Sequence, residues 1–190
     1  HSGYIYLTAG FFVCGFHISF LGTHFPAYIT DKGLAPELGA QALAMVGLFN
    51  LFGAILAGVL GNRYKKKNLL SWIYLARAVF IALFIMLPIT PTTVLIFSAA
   101  MGLTWLSTVP LTSGIVAQVF GPRYMGTLFG FVFLSHQLGS FLGVWLGGKL
   151  FDQTGSYDVI WWLGLALGLF AALVHLPIDE RPAARLSTAQ

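Results

Sequence analysis

Read from the N-terminus, the chain alternates long apolar runs with short polar gaps. The runs fall near positions 4–29, 39–60, 69–88, 92–119, 125–150 and 160–177. The gaps between them carry turn-forming residues: Asp31-Lys32-Gly33, Ile89-Thr90-Pro91, Gly121-Pro122-Arg123 and Asp152-Gln153-Thr154-Gly155. About 20 apolar residues, rising 1.5 Å each, cross a hydrocarbon core of about 30 Å. Six transmembrane helices are therefore expected, followed by a polar tail at 179–190. At membrane depth each segment must satisfy its own backbone polar groups, which selects helices. A β-barrel would need apolar residues alternating with period two, and the runs show no such alternation.

Composition supports the same solvent. Of 190 residues, 57% are hydrophobic and 8% charged, against about 25% charged in a soluble domain. So few charges leave a water-facing surface uncovered, whereas lipid tolerates it. The net charge of +4 is no nucleic-acid signal, because the cations sit in gaps between apolar runs and not on a basic face of a soluble scaffold. The lone cysteine, Cys14, lies inside a run and has no internal disulfide partner. The chain opens His-Ser-Gly without an initiator Met, and we read that start as a cut or processed end of a longer polypeptide.

The basic residues set an orientation. With six spans both ends lie on one side, and that side holds Arg63, Lys65, Lys66, Lys67, Arg123, Arg181 and Arg185. The opposite loops hold Lys32 and Lys149, with Arg77 left inside a span. The positive-inside bias places both ends in the cytoplasm. Small residues repeat every four positions as Ser135, Gly139, Gly143 and Gly147, as Gly53, Ala57 and Gly61, and as Gly164, Gly168 and Ala172. Such ridges let helix backbones approach closely, for static packing or for a sliding contact.

Polar groups within the spans are costly in lipid and are the candidates for function. His136 and Gln137 lie halfway along the fifth run; a histidine there can change charge near neutral pH and bind an anion when protonated. The alternative for His136 is an interhelical hydrogen bond. His17 and His24, seven residues apart, share a helical face on the first run and are candidates for a stepped proton or anion path, or for structural bonds. Arg77 is the one fixed charge in a span, roughly 13 Å from the inner edge at 1.5 Å per residue; it is a counter-charge for an anion or a donor to backbone carbonyls and Tyr74. Asn50 sits mid-span in the second run. Trp105 and Thr108, with Thr104 and Ser107, precede Pro110 in the fourth. They either contact substrate at a bend or satisfy the backbone that the proline frees.

No Asp or Glu falls inside a predicted span, and no histidine is accompanied by a carboxylate or thiolate at metal-ligand spacing, so no metal site is expected. There is no phosphate-binding glycine loop, paired carboxylate or supported Ser-His-Asp order. We therefore expect neither an enzyme nor a cofactor.

The second loop reads Gly58-Val-Leu-Gly61-Asn62-Arg63-Tyr64-Lys65-Lys66-Lys67. It resembles the cytoplasmic loop signature of the major facilitator superfamily: Gly, three residues, Asp, Arg, any residue, Gly, then two basic residues. Gly58, Arg63, Lys66 and Lys67 match; Asn62 replaces the acid and Lys65 the second glycine. In that family the signature degenerates in the second half of the molecule, so the resemblance implies helices 7 to 12. The stretch from Ser135-His136-Gln137 through Gly143, then Gly147 to Tyr157, is similar to helix 11 and its outer loop in bacterial monocarboxylate-transporter-like members. His24-Phe25-Pro26-Ala27-Tyr28 before Gly33 is similar to the end of helix 7.

The resemblance implies an all-α membrane protein, one half of a twelve-helix fold built from two inverted three-helix repeats. The first, second, fourth and fifth spans would line a central cavity. The partners would be a missing N-terminal six-helix half, the lipid bilayer and a small-molecule substrate. The implied function is secondary transport of a small organic anion, monocarboxylate-like, by alternating access with possible proton coupling, in a bacterial cytoplasmic membrane. The candidates for substrate contact or coupling are His136, Gln137, His17, Asn50, Trp105, Thr108 and Arg77. Two other expectations compete: an exporter of drugs or other hydrophobic compounds, and a non-transporting membrane scaffold.

Overall fold

The computed structural model describes residues 2–183, all in helices and short connections without a strand among them. The helices are α1 (Ser2–Asp31), α2 (Pro36–Arg63), α3 (Lys66–Met86), α4 (Pro91–Thr104), α5 (Thr108–Phe120), α6 (Pro122–Thr154) and α7 (Asp158–His175). Because α4 and α5 lie within one span, Pro91–Phe120, six helical segments are long and apolar enough to cross a membrane among the described residues. Residues 184–190 of the expected tail, Arg185 included, lie outside the described residues.

Local chemistry starts and stops the helices. Proline occupies the first helical position of α2, α4 and α6, where its missing N–H costs nothing and its fixed φ suits the helix. At α4 the Thr93 amide donates to the Thr90 hydroxyl (3.2 Å) and the Thr90 amide donates to the Thr93 hydroxyl (2.8 Å), a reciprocal cap. Gly155 ends α6 in the left-handed region at φ 66°, with its N–H donating to the Phe151 carbonyl at 2.8 Å; glycine adopts that conformation without steric cost.

The fourth span, expected over 92–119 with a bend ahead of Pro110, is interrupted outright. It breaks at Trp105–Ser107, between α4 and α5. Pro110 supplies the reason: it has no amide to donate to the carbonyl four residues back, that of Leu106, and its ring crowds that oxygen. The hydroxyls of Ser107 and Thr104 return to the Leu103 and Met101 carbonyls at 2.6 and 3.0 Å, so they serve the backbone around the break.

The packing repeats itself with the halves exchanged. α1 packs on α6, α2 on α4, and α3 on α7. Swapping the first three spans with the last three maps this set of pairs onto itself, as inverted three-helix repeats require. The glycine ridges sit at these contacts. A Cβ at Gly139 would overlap the Phe12 carbonyl, one at Gly53 the Leu103 carbonyl, and one at Gly15 the His136 carbonyl. Lipid tails supply no hydrophobic drive between helices, so close backbone approach and dispersion hold the bundle.

Large aromatics fill the end of the bundle remote from the basic loop. Phe20, Phe25, Tyr28, Phe84, Phe97 and Trp161 are buried in one cluster, with Phe84 and Phe97 stacked at 4.2 Å. Such ring pairs each contribute about 0.5–1.5 kcal/mol beyond area burial. At the basic end the chain after α7 folds back under α3 and α5. The Lys67 amide donates to Glu180 Oε1, Lys67 Nζ to the Leu176 carbonyl (2.9 Å) and the Ala183 amide to the Val119 carbonyl (2.9 Å). Beside this clasp, Arg181 hydrogen-bonds Asp179 and holds its carboxyl down at about 2.

Candidate functional site

The interior of the bundle holds a polar cluster whose side chains are drawn from four helices. Arg77, on α3, is wholly buried. Its guanidinium Nη2 donates to the carbonyls of Thr104 and, at 2.7 Å, Trp105. Nη1 donates to Cys14 Sγ of α1 at 3.6 Å. The ring of Tyr74, one turn earlier on α3, lies 5.3 Å from the guanidinium carbon. Cys14 Sγ lies 3.2 Å from Thr108 Oγ1 of α5, and on the other side of α1 the His136 carbonyl of α6 packs against Gly15.

No carboxylate balances Arg77. The acids in the described helices stand at their ends, at Asp31, Glu37, Asp152 and Asp158, and the one ion pair among the described residues is Arg181–Asp179. The broken span supplies the compensation instead. The last carbonyls of α4 are freed by the break, and they carry the negative end of that helix's dipole. A guanidinium with five fixed donors can serve two carbonyls at once. The other side of the break is closed by Asn50 of α2, whose Oδ1 accepts from the Leu106 amide at 3.0 Å. Arg77 and Asn50 thus satisfy the two frayed ends of one interrupted helix.

His136 faces a different environment. It is largely buried against α1, while its neighbour Gln137 is exposed. His136 Nδ1 lies 3.2 Å from Gln137 Oε1 and 3.5 Å from Ser140 Oγ. Its ring stacks on Phe133 at 5.3 Å and tilts against Phe11 at 5.0 Å. A ring edge held by polar partners beside an exposed amide can exchange a proton or, when protonated, donate a hydrogen bond to an anionic ligand.

The two histidines of α1 turn to different neighbours. His17 Nε2 donates to the Gly164 carbonyl of α7 at 2.7 Å. His24 Nε2 donates to the Val144 carbonyl of α6 at 2.9 Å, and its Nδ1 lies 3.4 Å from the Tyr157 hydroxyl. Of the expected candidates, then, Arg77, Trp105, Thr108 and Asn50 meet at the helix break, His136 and Gln137 form an adjoining pair, and His17 stands apart. Cys14, read in the sequence only as an unpaired thiol, bridges Arg77 and Thr108 at the break. No spacing could have revealed it, since its partners lie 63 and 94 residues away. In the loop signature, Asn62 and Arg63 are exposed, Lys66 Nζ donates to Gln118 Oε1 at 2.9 Å, and a Cβ at Gly58 would meet open space.

Six apolar spans arranged as two inverted repeats, with a polar cluster at mid-depth and a broken span at its centre, define half of a transporter-type membrane bundle. The chain belongs to the Major Facilitator Superfamily, whose profile matches residues 7–190. It is 27% identical over 183 residues to an uncharacterized MFS-type transporter of Bacillus subtilis, covering 93% of this chain and 44% of that protein. It is 28% identical over 189 residues to a probable plastidic glucose transporter 1 of Arabidopsis thaliana, covering 93% and 35%. It is 27% identical over 144 residues to monocarboxylate transporter 12-B of Danio rerio, covering 74% and 30%. The chain thus spans less than half the length of each of these relatives. All three are named as transporters, so the non-enzymatic reading of the sequence agrees with them.

Proposed function

We propose that this chain is the C-terminal half of a secondary active transporter that carries a small organic anion by alternating access. The single observation that carries this reading is the cationic, carboxylate-free interior: Arg77 buried without an acid, beside Cys14 and the His136–Gln137 pair. Carbonyl dipoles offset only part of a full positive charge, and the net positive potential that remains favours an anion and disfavours a cation. His136 and Gln137 are the groups that meet the substrate. Arg77 contributes potential from behind them while its donors stay on the α4 carbonyls. The substrate's carboxylate accepts a hydrogen bond from protonated His136, and loss of that proton on the other side of the membrane weakens the bond and favours release.

A partner half of six helices completes the cavity, and the two halves rock about it. Both chain ends then lie in the cytoplasm, as the positive-inside bias directs. The name of the Danio rerio relative, monocarboxylate transporter 12-B, supports the choice of anion.

The test is thermal unfolding of the purified full-length protein with small carboxylates, sugars and lipophilic cations. A ligand at 100 times its Kd stabilises by about 2.7 kcal/mol. One carboxylate class is expected to raise the melting temperature, more strongly at lower pH, and His136→Ala is expected to remove the response and the uptake while expression and folding persist. Stabilisation by lipophilic cations alone would replace this reading with hydrophobic-compound export. Sugars alone would point to a polyol carrier.

A further inference from the structure

Between α2, α3 and the α4–α5 span runs a groove of about 300 Å³ with an almost wholly apolar lining. It begins at Leu60 and Leu69, each within about one turn of the basic loop, and reaches Phe80 and Thr104 near the helix break. From Leu69 to Phe80 the α3 wall rises about 16 Å at 1.5 Å per residue, about half the thickness of a hydrocarbon core. The groove therefore runs along one leaflet, from its surface to its middle. Trp72 forms its rim and is 68% exposed, in the amphipathic position that tryptophan favours near a headgroup layer.

The loop that joins the two walls, Asn62 to Lys65, supplies the charge at the mouth. Lys66 and Lys67 are engaged by Gln118, the Leu176 carbonyl and Glu180. The side chains of Arg63 and Lys65 are exposed and make no hydrogen bond or ion pair with any described residue. Asn62 beside them brings no charge. Arg63 follows the groove residue Leu60 by three positions and Lys65 precedes the groove residue Leu69 by four, so each cation falls about one helical turn beyond the end of an acyl-sized groove.

We propose that this groove is a site for one anionic phospholipid, with its phosphate on Arg63 and Lys65 and an acyl chain along Leu60, Leu69, Ile73 and Ala76. The occupant follows from the pairing of parts. An apolar ligand alone has no use for the two cations, and a soluble phosphate has no use for the groove. Each basic residue close to an anionic headgroup layer gives about a fivefold preference, so two give about 25-fold over a zwitterionic lipid of the same chains.

The experiment is native mass spectrometry of the full-length protein in mild detergent. It is incubated with equal phosphatidylglycerol and phosphatidylcholine of matched chains, alone or with millimolar inorganic phosphate. Wild type is expected to retain phosphatidylglycerol preferentially by about that 25-fold factor, and inorganic phosphate is not expected to displace it. Arg63→Gln with Lys65→Gln, both on exposed positions that leave packing intact, should bring the two lipids to parity. Ala76→Phe, which fills the groove, should lower retention of both. Equal retention by wild type, or an undiminished preference in the double variant, would overturn the proposal. Displacement by inorganic phosphate would overturn the lipid assignment in favour of a free anion site. Undiminished retention in a folded Ala76→Phe protein would overturn the seating of the chain. The outcome is independent of which substrate the transporter carries.

Discussion

Asn50 and His136 occupy equivalent places in the two inverted repeats. Each lies three residues before the glycine, Gly53 or Gly139, whose missing Cβ admits a backbone carbonyl of the partnered helix. Asn50 then reaches Leu106, three residues beyond Leu103; His136 lies against Gly15, three residues beyond Phe12. At one of these positions the polar side chain closes a broken helix, and at the other it stands beside an unbroken one. The repeat architecture has thus given one place in the fold two uses. The pair explains why His136 is free to act chemically: α1 is continuous there, so no orphan amide claims its ring.

Replacing Asn50 tests its half of this relationship. Asn50→Leu leaves the Leu106 amide at the break without its acceptor. The bond lies on an exposed face of the bundle, so its loss costs the net worth of one hydrogen bond, about 0.5–1.5 kcal/mol. Unfolding in micelles is expected to show a loss in that range, with substrate preference unchanged. A variant as stable as wild type would show that the break is held without Asn50.

Arg77 is expected to behave as the cap of α4. Arg77→Lys keeps the charge but loses the fork that serves the Thr104 and Trp105 carbonyls together. Arg77→Met loses both charge and bonds and should be the more damaging, because it leaves the Thr104 and Trp105 carbonyls without donors at about 1–3 kcal/mol. Both variants, where they fold, should keep the wild-type order of substrates in a competition assay. A changed order at unchanged stability would instead place Arg77 in direct contact with the substrate.

Two glycines that look alike in the sequence should respond oppositely to alanine. At Gly139 the new methyl overlaps the Phe12 backbone, so α1 and α6 must separate, at a cost of about 1–3 kcal/mol. At Gly58 the methyl meets nothing within 4 Å. Helix formation there should gain about 0.5–1 kcal/mol. Parallel unfolding curves of Gly139→Ala and Gly58→Ala decide the matter, and similar losses in both would refute the packing assigned to α1 and α6.

Much of the architecture is legible in the sequence because lipid enforces simple rules. Long apolar runs must be helices, and Pro91, Gly121-Pro122 and Gly155 mark where they start and stop. The spaced glycines announced close helix contacts, and Gly53, Gly139 and Gly143 do lie at them. The break in the fourth span was only half legible. Pro110 announced a disturbance, but its position fell one turn earlier, where the crowded carbonyl is. The candidate cluster was the least legible part, since Arg77, Cys14, Thr108 and His136 come from four helices that no local pattern brings together.

By itself, then, the sequence determined the solvent, the number of spans and the polar residues that lipid would force inward, because each of these depends on local hydrophobicity and turn chemistry. The tertiary structure decided their partners. Only the packing of α3 against the interrupted fourth span gives Arg77 carbonyls in place of a carboxylate. Only the close approach of α1 and α6 through Gly15 and Gly139 sets the His136 carbonyl against α1. Those assignments turn on distances of a few ångströms between residues far apart in the chain, set by which helix backbones can touch.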